Sequence, residues 1–144
     1  MKVFLDANVL VAVLNKEYPV FSYAARILSL ADNPKFTVYT SPVCLAIAYY
    51  FAEKKTSAKV AKSKINLLLE HIQIADNNKL GVIKTLENKK ILDFEDGLEY
   101  YAAVENNCEC IVTENLKDFH FAEIEVLNCE DFAVKYFKTA TLIY

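Results

Sequence analysis

The chain has 144 residues, 54% hydrophobic and 24% charged, which suits one domain with a real core and excludes a disordered chain. Its two glycines, Gly81 and Gly97, are too few and too far apart for a P-loop or a dinucleotide fingerprint. A net charge of −3 excludes a strongly basic nucleic-acid clamp, although not a nuclease that gathers acids in one cleft.

Val3-Phe4-Leu5 reads as a short apolar strand stopped by Asp6, and a helical run follows from Asn8 through Val9, Leu10, Val13 and Leu14. Pro19 suits the first turn of a second helix, with Ala24, Ile27, Leu28 and Ala31 at helical spacing and Asp32-Asn33-Pro34 ending it. Phe36 to Tyr39 is rich in strand formers. Ser41-Pro42 predicts an N-cap and first helical position, opening a helix to about Glu53. Thr56 or Ser57 caps a fourth helix with Val60, Ala61, Ile65 and Leu68 on its buried face. Ile72 to Ala75 predicts a third strand, and Asn77 or Asn78 caps a helix through Ile83 and Leu86. Asp93 to Asp96 opens an amphipathic helix with Leu98, Tyr101 and Ala102 inward. Cys110-Ile111-Val112 and Ile124 to Leu127 are the fourth and fifth strands, and Asp131 to Phe137 is a final helix. Residues 1–137 are expected to form one domain, with 138–144 as a C-terminal tail. Strands alternating with helices predict an α/β fold with a mainly parallel sheet covered on both faces.

Four cysteines without a secretory leader suit reduced thiols in a cytoplasmic protein. The longest uncharged apolar stretch, Pro42 to Ala52, is too short to span a bilayer. Lys54, Lys55, Lys59, Lys62 and Lys64 crowd one helical region, where a solvated face is the plainer reading and a phosphate-contacting patch the functional one. Cys108, Cys110, Cys129 and His120 fit no standard zinc spacing.

Ligands of open α/β sheets bind at the carboxyl ends of strands. The first strand delivers Asp6 there, with Asn8 two residues on; the fourth delivers Thr113 and Asn115, with Asp118 a turn later. The helix before the fourth strand opens with Asp93, Glu95 and Asp96. Each acid alone has a structural role open to it, such as capping a helix. Together they repel one another unless a cation joins them, and oxygen ligands suit Mg²⁺ or Mn²⁺. Such ions activate water and steady charge on a phosphate, so the reaction class implied is phosphodiester hydrolysis. A phosphatase with Asp6 as nucleophile is disfavoured, because Asn8 stands where a second acid is wanted.

Val3-Phe4-Leu5-Asp6-Ala7-Asn8-Val9-Leu10 resembles the opening of a PIN domain. Asp93-Phe94-Glu95-Asp96-Gly97-Leu98 resembles that family's third-acid helix, and Ile111 to Phe119 its fourth-acid segment. The resemblance runs in order from Met1 to Phe137. It implies a three-layer α/β/α sandwich around a five-stranded, mainly parallel sheet. It also implies a Mg²⁺- or Mn²⁺-dependent endoribonuclease acting on RNA, of the kind found as toxins of toxin–antitoxin pairs, with an antitoxin and a second copy of the chain as partners. Carried over residue by residue, Asp6, Asp96 and Asp118 are the metal ligands and, with Asn115, the catalytic set. Asn8, Thr113 and Glu95 position ligands and substrate. The second acid is missing: its position in the helix after the second strand is Ile47, and Glu53 is out of phase with it. The alternative implied is a PIN-fold module that binds RNA or protein without cleaving.

Overall fold

The structure, a computed structural model, describes residues 1–141, with side chains as far as Phe137. Five strands, β1 (Lys2–Leu5), β2 (Thr37–Thr40), β3 (Gln73–Ile74), β4 (Cys110–Val112) and β5 (Glu125–Leu127), form one sheet in the order β3-β2-β1-β4-β5, every pair parallel. The helices are α1 (Ala7–Leu14), α2 (Val20–Leu28), α3 (Pro42–Lys55), α4 (Ala58–Leu69), α5 (Lys79–Glu87), α6 (Phe94–Glu105) and α7 (Cys129–Thr141), with 3₁₀ turns at Ser29–Asp32 and Leu116–Phe119. The result is the expected three-layer α/β/α sandwich.

The central strands are buried on both faces, which is why they read as unbroken apolar runs rather than alternating ones. Val3, Phe4 and Leu5 of β1, and Cys110, Ile111 and Val112 of β4, are fully enclosed. Sequence order explains where the cleft opens. From β1 the chain winds outward to β2 and β3, then returns to lay β4 and β5 on the other side. The β1–β4 boundary is therefore the point where winding reverses, and the crevice lies at its carboxyl end.

Local rules set most helix starts. Ser41 accepts from the Cys44 N–H at 3.2 Å with Pro42 at the first helical position, and Ser57, Asn78 and Asp93 cap α4, α5 and α6. Several boundaries differ from expectation. α1 begins at Ala7, with Asp6 as its cap. Pro19 caps α2 instead of occupying its first turn. β3 shrinks to two residues because it is an edge strand paired only with β2, although Ile72 and Ala75 beside it are buried. α7 starts at Cys129, two residues early, because the Asn128 side chain accepts from the Asp131 N–H at 2.7 Å. The helix overlaps the expected tail as far as Thr141, and 142–144 lie outside the described residues. Val60, expected inward on α4, is exposed, while Ala61 and Leu68 carry the buried face. No helix among the described residues is long and apolar enough to cross a membrane.

Candidate active site

Asp6 stands at the end of β1, and its backbone N–H donates to Val112 O of β4 at 3.0 Å. That bond extends the ladder one residue past the strand and aims the carboxylate into the crevice. The carboxylate is buried and held from several sides. Its Oδ1 accepts from the Ala7 N–H at 2.6 Å, and its Oδ2 accepts from the Thr113 hydroxyl at 2.7 Å and from Asn8 Nδ2 at 3.1 Å. Asn8 Nδ2 also reaches Thr113 Oγ1 at 3.1 Å, and Asn8 Oδ1 accepts from the Glu114 N–H at 3.0 Å. Thr113 Oγ1 in turn accepts from the Asn115 N–H at 3.0 Å. Asn8 and Thr113 thus tie the end of β4 to the end of β1 and leave Asp6 a single orientation.

Around this network opens a cleft of about 560 Å³. It is lined by the carboxylates of Asp6, Glu17, Asp93, Glu95, Asp96, Glu99 and Asp118, with Asn8, Asn115, His120 and the cationic Lys117 at its rim. Asp93 caps α6 by accepting from the Glu95 N–H at 2.9 Å, so one structural role is filled there. Asp96 sits half-buried in the first turn of α6. Burial, then the charges of Asp93, Asp118, Asp6 and Glu95, pushes its carboxyl up to about 7. Asp118 is exposed, on the 3₁₀ turn after β4.

Glu99 follows Asp96 by three residues, on the same face of α6. It is 2% exposed, and burial, the charge of Asp6 and a hydrogen bond shared with Asp6 push its carboxyl up to about 11. Asp6, Glu99 and the Cys44 thiol present atoms within 4.8 Å of one another. Burial first, then Glu99 and Asp6, holds that thiol well above its ordinary range, so it is a protonated donor, reaching Asp6 Oδ1 at 4.0 Å. Crowded carboxylates are the donor set that a divalent cation relieves. Oxygen donors select Mg²⁺ or Mn²⁺ over softer metals, so the residues fit such an ion.

The sequence profile of the PIN domain family matches residues 2–117. The chain belongs to the PIN domain family. It is 30% identical over 139 residues to Ribonuclease VapC1 of Aquifex aeolicus, covering 94% of this chain and 95% of that one. Among solved structures, VapBC2 from Rickettsia felis, bound to a DNA fragment from its promoter, is similar with a TM-score of 0.66 and 27% identity, over 89% of this chain and 98% of the other. VapBC-1 from nontypeable Haemophilus influenzae, at 20% identity and a TM-score of 0.70 over 90% of this chain and 99% of that one, shares the fold.

In this PIN domain the α3 face toward the cleft carries no carboxylate. Cys44, Ile47 and Phe51 occupy it at helical spacing; Ile47 and Phe51 line the cleft. Glu53 is exposed elsewhere on α3 and hydrogen-bonds the Tyr49 hydroxyl. Asp6, Asp96, Asp118, Asn115, Asn8 and Glu95 all line one cleft, and Thr113 lies directly beneath it through Asp6. Glu99 is not legible in the sequence as a cleft residue, because an acid on an amphipathic helix reads as solvent-facing. The signal available was its three-residue spacing from Asp96. The inward face of α6 is Gly97, Glu99, Tyr100, Ala102 and Ala103, so Leu98 and Tyr101, expected inward, are only half-buried.

The lysine-rich region has partners of its own. Lys55 Nζ donates to Asn15 O and Lys64 Nζ to Leu14 O, each at 2.7 Å, which satisfies carbonyls at the C-terminal end of α1. Cys108, Cys110 and Cys129 are buried free thiols, as their spacing led one to expect. His71 faces Asp32 at 3.2 Å, and His120 reaches the cleft rim.

Proposed function

We propose that this PIN domain is a divalent-metal-dependent endoribonuclease and the toxin of a toxin–antitoxin pair, working in the cytoplasm. The observation that carries this reading is the meeting of Asp6, Asp96 and Asp118 in one strand-end cleft, in a chain 30% identical to a ribonuclease along nearly its whole length. Asp6, Asp96 and Asp118 would hold Mg²⁺ or Mn²⁺, which supplies an activated water and neutralises phosphate charge. Asp6 is fixed by Thr113, Asn8 and the Ala7 amide, so it presents its free lone pairs without reorganising. Asn115, exposed beside Asp118 on the rim, positions the scissile phosphate, and Glu95 orders groups at the mouth. An RNA strand would otherwise be repelled by this acidic cleft, so substrate binding and metal binding are coupled. The solved VapBC relatives support an antitoxin partner for this chain, and a homodimer is part of the same reading. The test is cleavage of RNA in Mn²⁺ by the wild-type protein and by Asp6→Asn. Cleavage by the wild type alone is expected; equal cleavage by both overturns the reading.

Ile47 favours a second reading, a PIN-fold module that binds RNA without cutting it, since α3 contributes no acid to the cleft. Its signature is RNA affinity that is unchanged by added Mn²⁺, with no cleavage product.

A further inference from the structure

We propose that Glu99 closes the divalent-cation site from α6, supplying the carboxylate that α3 lacks at Ile47. The inference rests on the metal-dependent reading above and assigns a ligand that the sequence resemblance does not. Glu99 is among the largest fully buried side chains of the described residues, and its Oε2 has no hydrogen-bond partner among them. A buried carboxylate oxygen with no donor loses its hydration without recompense, a cost that an apolar side chain of similar size avoids. One oxygen of the Glu99 carboxylate lies in the same small volume as the Asp6 carboxylate and the Cys44 thiol, and the residue lines the cleft. What it lacks is a positive group: among the described residues the cleft is lined by one lysine, Lys117, which is exposed.

Other acids are less suited. Glu95 and Glu17 line the cleft but are exposed, where water already satisfies them. Asp93 is engaged as the α6 cap. Among the described residues Glu99 is the carboxylate grouped with Asp6, one helical turn beyond Asp96, so α6 offers two carboxylates on one stripe. The apolar Ile47 on α3 lines the same cleft. The site has moved one of its acids from one helix to another while keeping the charge.

Calorimetric titration of Mn²⁺ into the wild-type protein, Asp6→Asn and Glu99→Gln, with melting curves run with and without Mn²⁺, tests this. Glu99→Gln is expected to keep a metal-free melting temperature close to the wild-type value, because an amide of the same size replaces a carboxyl that burial already keeps uncharged without metal. It is expected to lose on the order of tenfold or more in Mn²⁺ affinity and most of the Mn²⁺-induced rise in melting temperature. Glu99→Met, of similar volume and free of polar atoms, gives the same readout should the amide disturb folding. Wild-type Mn²⁺ affinity in either variant overturns the assignment of Glu99 and leaves the metal-dependent reading standing. Affinity lost only together with metal-free stability in both variants also overturns it. Absence of Mn²⁺ binding by the wild type overturns the metal-dependent reading itself.

Discussion

The Thr113 hydroxyl donates to Asp6 Oδ2 at 2.7 Å, joining residues 107 apart in sequence at the ends of adjacent strands. Thr113 is fully buried, and its oxygen also accepts from the Asn115 N–H and from Asn8 Nδ2. One hydroxyl therefore orients the carboxylate and the loop that carries Asn115. Replacing Thr113 by Val, close in shape, removes the donor and the acceptor together. Thr113→Val should cost about 1–3 kcal/mol in urea unfolding. It should also lower Mn²⁺-dependent cleavage more than the stability loss explains, while Thr113→Ser retains both. Equal stability and activity in Thr113→Val would show that the hydroxyl is dispensable.

Gly97 lies inside α6, where alanine is ordinarily favoured by up to about 1 kcal/mol. Here a Cβ would meet Thr85 Cγ2 at 2.4 Å and Ile91 Cγ2 at 3.0 Å, because α5 and the segment after it press against α6. Both neighbours are branched side chains in a packed layer, so overpacking of about 1–3 kcal/mol should outweigh the propensity gain. Gly97→Ala is expected to lower the midpoint of urea unfolding. A higher midpoint would mean that α5 moves aside freely.

Lys55 and Lys64 bind carbonyls at the end of α1, and this separates two roles for the basic region. Lys55→Met with Lys64→Met should lose about 1–3 kcal/mol in total, from two hydrogen bonds to backbone oxygens. RNA affinity measured in Mn²⁺ should stay within about twofold of wild type, since a phosphate-contacting patch would instead weaken and flatten the salt dependence. A large loss of RNA affinity with unchanged stability would restore the patch.

Glu125 offers a pH test remote from the cleft. Burial alone would raise its carboxyl, but hydrogen bonds from Lys135 and Tyr136 outweigh that and hold it below its ordinary 4.5. A lowered carboxyl contributes stability that is present above about 4.5 and lost as pH falls through the lower folded value. Glu125→Gln should therefore show a smaller loss of melting temperature between pH 6 and pH 3 than the wild type. Parallel curves for the two proteins would show that the contact is immaterial.

Much of the fold was legible because local signals and tertiary demands agree. Val3-Phe4-Leu5 and Cys110-Ile111-Val112 read as buried strands and are fully enclosed, and the caps at Ser41, Ser57, Asn78 and Asp93 sit where short polar side chains precede apolar periodicity. The misplaced features are those decided by neighbours. The edge position of β3 shortened it, and Asn128 moved the start of α7. In the cleft, Asp6, Asp96 and Asp118 stood out as acids at strand ends or in a family-like order. Glu99 did not, because amphipathic periodicity treats every acid as solvent-seeking. Only the fold reveals that this one points at Asp6. Nothing in the sequence singles out Cys44, whose burial beside Asp6 and Glu99 is set by the packing of α3 against the cleft.

β1 lies in the middle of the sheet, hydrogen-bonded on both edges, and the Asp6 amide continues that bonding onto Val112. An amide so placed is expected to exchange its hydrogen slowly, with the central strands rather than with the loops. Asp6 is thus among the last groups to loosen, whereas Leu92, at 90% exposure, and Asp118 stand at the opening of the cleft. Covering its entrance from outside would therefore reach this carboxylate where melting the strand that carries it would not.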